Sequence, residues 1–535
     1  RHRKPAAQRD DRVIPPGELL KLPKFADWYP GQEEIWQQMM AWVAGDERFC
    51  GASVPTGFGK SLLAMLTAHF SGKRTVYLTS TTGLQTQLLD DFEKLGLVDI
   101  RGRNRYQCIE FPRTSVDRAP CTAGYQCPVV SSCHYYSQLD RAVNSQLVVS
   151  NYSYWMAQHE YGTGLAVQEH DNVVNPVELL ILDEAHLISR SLESHLKVQF
   201  DQADREYLDW HPDWEYAQWR RHCLQFLTQV DEDLQRLRQD MEFDTDRDSQ
   251  LMNEHSHLSG LRTRCDRLLE SGLKWVQEKG EDTISWTPLW TRDYNHLLFR
   301  DVPKVLLMSA ILTPRMMDGL GVEGEWIEAG SPFPPSQTPI THIPTVRVNH
   351  RTSDDEMYEW TAQIDRIIAD RQDRKGIVFT VSYGRAEFLK ATSAYSHQMF
   401  SHRTRNLAEV VEQFKRAAPP AVLVSPSVTT GWDFPGEEAE YIIVGKVPYP
   451  DTSNVLNKAR SKEDSEWTAQ LAMETLVQET GRGTRSEGDR CQVLVVDDSW
   501  KWWWPKYREF APKWFRERVT ASARRIPQPL PLQGE

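Results

Sequence analysis

The run Val54-Pro55-Thr56-Gly57-Phe58-Gly59-Lys60-Ser61 constrains the fold more than any other stretch of the chain. It follows a short strand pattern and opens a helical one. A glycine-rich loop in that position is how a parallel βαβ unit cradles a phosphate. Gly57 and Gly59 let the backbone wrap an anion, and amides at the helix start point towards it. Thr56 lies in the same loop. Lys60 is placed to reach the β- and γ-phosphates of a nucleotide, and the Ser61 hydroxyl to join a Mg²⁺ shell. The strict form of the motif opens with glycine, where this chain has Val54.

A second run, Leu179-Leu180-Ile181-Leu182-Asp183-Glu184-Ala185-His186, supplies what such a loop needs. Four aliphatic residues predict a buried strand, with two carboxylates at its C-terminal end, where open α/β sheets bind their ligands. Asp183 is the candidate Mg²⁺ ligand, and Glu184 the candidate base that orients an attacking water. His186 is placed to sense the γ-phosphate. The pair of motifs predicts a site for ATP and Mg²⁺.

At 535 residues the chain exceeds one compact core. Strands are expected at Phe49–Val54, Thr75–Ser80, Leu147–Asn151, Leu179–Leu182 and Val305–Ser309, then at Gly376–Thr380, Gln398–Ser401, Ala421–Ser425, Tyr441–Val444 and Gln492–Val496. Helical patterns alternate with them, so the fold class is α/β with two parallel sheets, in domains spanning 1–330 and 331–535. Two segments interrupt the first: 101–145, rich in turn formers and cysteine, and 191–298, acidic and helical in pattern. Gly330–Pro344, with five prolines, reads as the linker. The tail from Trp500 onward, with Trp502, Trp503, Trp504 and Trp514, reads as packing, with base stacking as the alternative.

The net charge of −13 opposes a nucleic-acid partner only on average. Residues 191–300 carry −8, whereas residues 101–145 carry +3, and local basic surface is what binds phosphate. No apolar run approaches the ~20 residues of a membrane span. The basic start lacks the apolar core of a secretory signal, and the chain begins without Met. The expectation is a trimmed, intracellular, cytoplasmic protein with no membrane partner.

Taken together, the phosphate loop and Asp183-Glu184-Ala185-His186 resemble a superfamily 2 helicase of the DEAH type, and more narrowly the XPD/DinG group of iron–sulfur DNA helicases. The resemblance runs from about residue 28 to 498 and weakens in the acidic segment and at both ends. It implies two RecA-like motor domains. It also implies further roles: Gln32, in Trp28-Tyr29-Pro30-Gly31-Gln32, as an adenine contact, and Thr79, Ser80, Thr82 and Gln85 as groups that grip the nucleic-acid backbone. Ser309-Ala310-Ile311-Leu312 resembles the family's Ser-Ala-Thr-Leu coupling motif, with Ile311 in place of threonine. Phe379-Thr380-Val381-Ser382-Tyr383 resembles the motif ending the first strand of the second domain, and Gly431-Trp432-Asp433-Phe434-Pro435-Gly436 the fifth motif. Gln478-Glu479-Thr480-Gly481-Arg482-Gly483-Thr484-Arg485 resembles the sixth, Gln-x-x-Gly-Arg-x-x-Arg. A spacing of three puts Arg482 and Arg485 on one side of a helix, from which both could reach a γ-phosphate. By that resemblance Gly431, Asp433 and Gln478 belong to the nucleotide site, and Arg482 and Arg485 join Lys60 and Glu184 in catalysis.

Cys108, Cys121, Cys127 and Cys133 fall in one loop-rich segment. Four thiolates there suit zinc, an iron–sulfur cluster or ordinary thiols, and no closely spaced zinc-ribbon pair is present. The resemblance implies a [4Fe–4S] cluster at this position. Arg101, Arg103, Arg105 and Arg113 interleave with Tyr106, Tyr125, Tyr135 and Tyr136, a pattern that suits single-stranded DNA. The reading is a monomeric, ATP-dependent DNA helicase that moves on single-stranded and forked DNA, 5′ to 3′ if the family pattern holds. The segment 191–298 is an arch bordering the DNA path. Rival readings are an RNA helicase or duplex translocase, a weakly hydrolysing recruitment module, and a redox sensor.

Overall fold

The computed structural model describes residues 14–162, 164–169, 172–241, 249–270, 274–331, 333–426, 432–451, 453–483 and 488–532. Aliphatic runs long enough for one strand and flat on both faces pair in parallel, because helices can then cover each face. Two such sheets form. The first has seven strands in the order Glu325–Glu328, Phe49–Ser53, Lys304–Ser309, Leu179–Asp183, Thr75–Thr79, Leu147–Asn151, Leu97–Asp99. The second has six, in the order Ile340–His342, Gln492–Val495, Tyr441–Val444, Lys375–Phe379, Ala421–Ser425, Met399–Ser401. Every pairing in both is parallel. This is the RecA-like pair of α/β sheets expected from the sequence.

Three strands are additions to that expectation: Leu97–Asp99, Glu325–Glu328 and Ile340–His342. The last lies inside the proline-rich stretch read as linker. Its Ile340 is fully buried and its backbone pairs with Val493. Short edge strands carry too few residues to show a period, which is why pattern reading passes over them.

The acidic segment differs in kind from its expectation as helix alone. Two long helices, Tyr216–Asp240 and Ser249–Leu269, pack side by side. At their base, Val198–Phe200, Trp275–Lys279 and Ile284–Pro288 form an antiparallel sheet in the order first, third, second. Trp219, fully buried, stacks on Phe200 and meets Trp286 edge-on, so an aromatic core of its own holds this unit. Acidic residues here are offset by ion pairs, among them Arg264–Asp204, Arg262–Asp231 and Lys279–Asp213.

Arg74 shows what fixes the first domain around its insertions. Its side chain is buried and donates to the carbonyls of Ser145, Asn175, Ala142 and Leu165, at 3.1, 2.9, 3.2 and 2.8 Å. One guanidinium thus closes the backbone ends of three separate segments, groups that would otherwise lie buried and unpaired. Arg74→Met should destabilise the protein by about 3 kcal/mol, since an apolar chain of similar length leaves those carbonyls without donors. Urea unfolding measures it, and a loss below about 1 kcal/mol would contradict this account.

Candidate nucleotide site and nucleic-acid groove

The phosphate loop leaves the Phe49–Ser53 strand, and its turn is held by Phe58 N–H donating to Pro55 O at 3.3 Å. Gly57 and Gly59 have φ of +80° and +83°, left-handed values that favour glycine. At Gly59 a side chain would also strike the Gln32 amide, since a Cβ there would lie 2.4 Å from Gln32 Nε2. The helix Lys60–Ser71 starts at once, so its first amides have no intrahelical carbonyl and face the loop's interior. Thr56 and Ser61 lie on this half-buried surface.

Buried Gln32 donates through Nε2 to Phe58 O at 2.8 Å and accepts from Tyr29 N at 3.1 Å. Its amide therefore braces the loop. At the end of the Leu179–Asp183 strand, Glu184 turns into the left-handed region, φ +53°. For a residue other than glycine this costs on the order of 1 kcal/mol. The turn brings Glu184 Oε1 to 3.6 Å from Lys60 Nζ and its Oε2 to 3.4 Å from His186 Nδ1. His186 Nδ1 also lies 2.8 Å from Ser309 Oγ, and its Nε2 is 2.8 Å from Gln478 Nε2, in the second domain. An unbroken polar chain therefore runs Lys60–Glu184–His186–Gln478, with Ser309 at its side.

Asp183 is buried, and desolvation with the neighbouring Glu184 charge pushes its carboxyl up to about 6, Lys60 acting the other way. A divalent cation there would reverse that penalty, which suits a Mg²⁺ ligand. The fully buried Tyr77 hydroxyl faces Ser61 and Asp183. The Ser61 hydroxyl and the buried Asp183 carboxylate beside it are oxygen donors of the kind a hydrated Mg²⁺ takes. Sequence reading missed Tyr77, since one tyrosine in a five-residue strand looks like core.

In the second domain the helix Trp467–Thr480 carries Gln478 and stops at Gly481. Arg482 thus sits in a turn, not on the helix the spacing suggested. Gly483 fits there because a Cβ would lie 2.4 Å from Cys491 Sγ. Arg482 is buried, donates to Trp432 O, and its own carbonyl accepts from Phe434 N at 3.1 Å. The turn therefore joins the stretch that holds Asp433, whose carbonyl accepts from Lys415 Nζ at 2.6 Å. Gly431 and Arg485 lie outside the described residues. Glu479, overlooked within its own motif, is buried with both carboxylate oxygens unpartnered, and burial raises it to about 8.

A second surface opens where the first sheet meets the cysteine segment. Ser80, Thr82, Arg103, Arg105, Asn151 and Gln158 are among the residues lining an open groove of about 670 Å³. Thr79 and Gln85, expected to grip a backbone, are fully buried instead. Gln85 Nε2 donates to Ile100 O and Thr79 Oγ1 to Thr81 O, so both shape the groove from behind. The Arg103 guanidinium lies over the Tyr135 ring at 5.3 Å.

The segment behind the groove is built from short 3₁₀ turns at Val116–Arg118, Pro120–Ala123 and Val130–Ser132. None of its four cysteines is in a disulfide. Cys121 is raised by burial, lowered by Arg103, and raised again by Cys108, Cys127 and Cys133, so the four share one electrostatic neighbourhood. Among the described residues, no three His, Cys, Asp or Glu side chains converge as a metal-ion site.

Burial lowers His186 from 6.5 to about 4, so the ring is neutral when it meets Gln478. The unfolded chain binds this proton first, so stability is complete above 6.5 and falls as pH drops from 6.5 towards 4. His186→Asn should remove up to about 3 kcal/mol of that acid sensitivity. Urea unfolding of both proteins at pH 7 and pH 4.5 checks it; parallel losses in the two would contradict it.

Comparison with known proteins matches residues 29–209 to the DEAD/DEAH box helicase family and residues 366–518 to the helicase C-terminal domain. Solved structures with the same fold include an XPD helicase, 15% identical with a TM-score of 0.59, covering 92% of this chain and 99% of that one. Xpd4 from S. tokodaii is 13% identical with a TM-score of 0.58, covering 92% of this chain and all of its own. The two domain matches, in the order in which the two sheets occur, place this chain in the superfamily 2 helicases, with an XPD/DinG-like fold.

Proposed function

We propose that the protein is an ATP-dependent DNA helicase that moves on single-stranded DNA and unwinds duplexes, 5′ to 3′. The observation that carries this reading is the Lys60–Glu184–His186–Gln478 chain, which ties a phosphate loop in one domain to the sixth motif of the other. A nucleotide held by Thr56, Gly57, Gly59, Lys60 and Ser61 would meet Glu184 and Gln478 together. Asp183 and Ser61 would hold Mg²⁺, which neutralises phosphate charge when bound. Glu184, released from Lys60 by the phosphates, would orient the water. Arg482 would turn from Trp432 O towards the γ-phosphate as the cleft closes, making hydrolysis depend on domain movement.

Support for a single-stranded partner comes from the groove of hydroxyls, amides and arginines, which suits phosphates without reading bases. Preference for DNA rests on the cysteine segment beside it. Cys108, Cys121, Cys127 and Cys133 would hold a [4Fe–4S] cluster, which would supply a structural or redox role when bound. The four thiols share one short, turn-rich segment but do not converge as a metal-ion site, so this ligand set rests on the family resemblance.

Duplexes with a 5′ or a 3′ single-stranded tail, given to anaerobically purified protein with ATP, test the reading. Only the 5′-tailed duplex should be unwound; unwinding of the 3′-tailed one alone contradicts the polarity. Lys60→Ala should lower hydrolysis at least ~100-fold, as expected when phosphate-neutralising charge is lost. Cys121→Ser should lose bound iron and visible absorbance, measured on the purified protein. Iron content equal to wild type would remove the cluster assignment. Stimulation by RNA in place of DNA would favour the RNA-helicase alternative.

A further inference from the structure

The tryptophan-rich tail crosses the cleft and returns. It leaves the second sheet through the helix Trp500–Tyr507, which directly follows the Gln492–Val495 strand. Trp503 is fully buried there, and Trp500 stacks on Trp504 with ring centroids 5.1 Å apart. The tail ends in the same sheet: Ile340 N donates to Arg518 O at 2.8 Å, Thr520 N to Ile340 O at 2.9 Å, and Ala523 N to His342 O at 3.0 Å. Both ends are thus fixed to one domain.

Between these anchors the chain touches the other domain, where the Arg315 guanidinium lies 4.9 Å from the centroid of the Phe510 ring and two hydrogen bonds form. The buried Trp514 indole Nε1 donates to Ala310 O at 2.8 Å, and Lys513 N donates to Glu328 Oε1 at 2.7 Å. Ala310 belongs to the Ser309-Ala310-Ile311-Leu312 turn, whose serine hydroxyl meets His186. Glu328 pairs with Ser53, the last residue of the strand feeding the phosphate loop. A small void beside the indole is bounded by Pro55 and Thr56 of that loop and by Gly481 of the arginine turn. One side chain therefore borders the phosphate loop, the coupling turn and the sixth motif at once. In that turn Ile311 is buried and carries no hydroxyl, while the carbonyl before it is held by the strap.

We infer that residues 500–523 form a strap of the second motor domain that latches the first, and that Trp514 is a positioning residue coupling strand binding to ATP hydrolysis. The inference rests on the helicase reading above. A bond with one partner in each domain is made or broken as the cleft moves, so it biases the closed arrangement that brings the sixth motif to the nucleotide. It acts through the coupling turn and touches no reacting atom.

The test uses the full chain with Trp514→Phe, which keeps an aromatic ring and deletes the indole donor. A second variant, Lys513→Pro, deletes the other donor at the first position of the helix Lys513–Arg516. Proline suits that position, and Pro512 before it already has the extended backbone a following proline requires. Hydrolysis is measured with and without a 5′-tailed DNA duplex, together with ATP consumed per base pair unwound. Basal hydrolysis should stay within about twofold of wild type. DNA stimulation should fall about tenfold in Trp514→Phe and about threefold in Lys513→Pro, the scale of one lost hydrogen bond, with more ATP spent per base pair. Stimulation and stoichiometry equal to wild type in both variants would overturn the latch alone. A wild-type chain that hydrolyses no ATP would overturn the helicase reading and the latch with it.

Discussion

The hydrogen bond between the Gln478 amide and the His186 ring links the two sheets at the candidate nucleotide site, where contacts such as Arg315–Asp464, Arg460–Glu193 and Trp514–Ala310 hold them together elsewhere. Each sheet takes its parallel strands from its own half of the chain. The proposed nucleotide site cannot be assembled that way, because its proposed base Glu184 and cation ligand Asp183 lie on the first sheet and its arginine turn on the second. Burial keeps His186 neutral, so one ring nitrogen can accept while the other donates. That places Ser309 and Glu184 on one side of the ring and Gln478 on the other, and makes the ring a relay between domains.

Backbone strain sits where this relay begins and where its partner sheet answers it. Glu184 and Val381 both have positive φ, at +53° and +65°, and both follow a central strand of their sheet. Valine is branched at Cβ and finds that region costly. Such positions persist when the surrounding fold over-determines them, and they turn the chain sharply towards the cleft.

Much of this was legible in the sequence because the residues that do chemistry also punctuate structure. Gly57, Gly59 and Lys60 mark a strand-to-helix turn, and Asp183-Glu184 ends an aliphatic run. Central strands such as Ala421–Ser425 and Tyr441–Val444 were readable to the residue because burial on both faces leaves an unbroken aliphatic signal. Edge strands such as Ile340–His342, and the antiparallel sheet at the base of the two long helices, are short and mixed in character. The role of Trp514 was illegible for a different reason. Its meaning lies in a carbonyl 204 positions earlier in the chain, and no local pattern encodes that partner. Thr79 and Gln85 went the other way: their types suit phosphate contact, and only the packing shows that they face inward.

The measurement that tests the central claim most directly is a double-mutant cycle between His186 and Gln478, read on DNA-stimulated ATP hydrolysis. His186→Ala, Gln478→Ala and the double variant are compared with wild type. If the ring and the amide act as one relay, the second substitution should cost little once the first is made, leaving a coupling of about 1–2 kcal/mol. Costs that simply add would show the two residues acting independently, and the account of a relay across the cleft would be wrong.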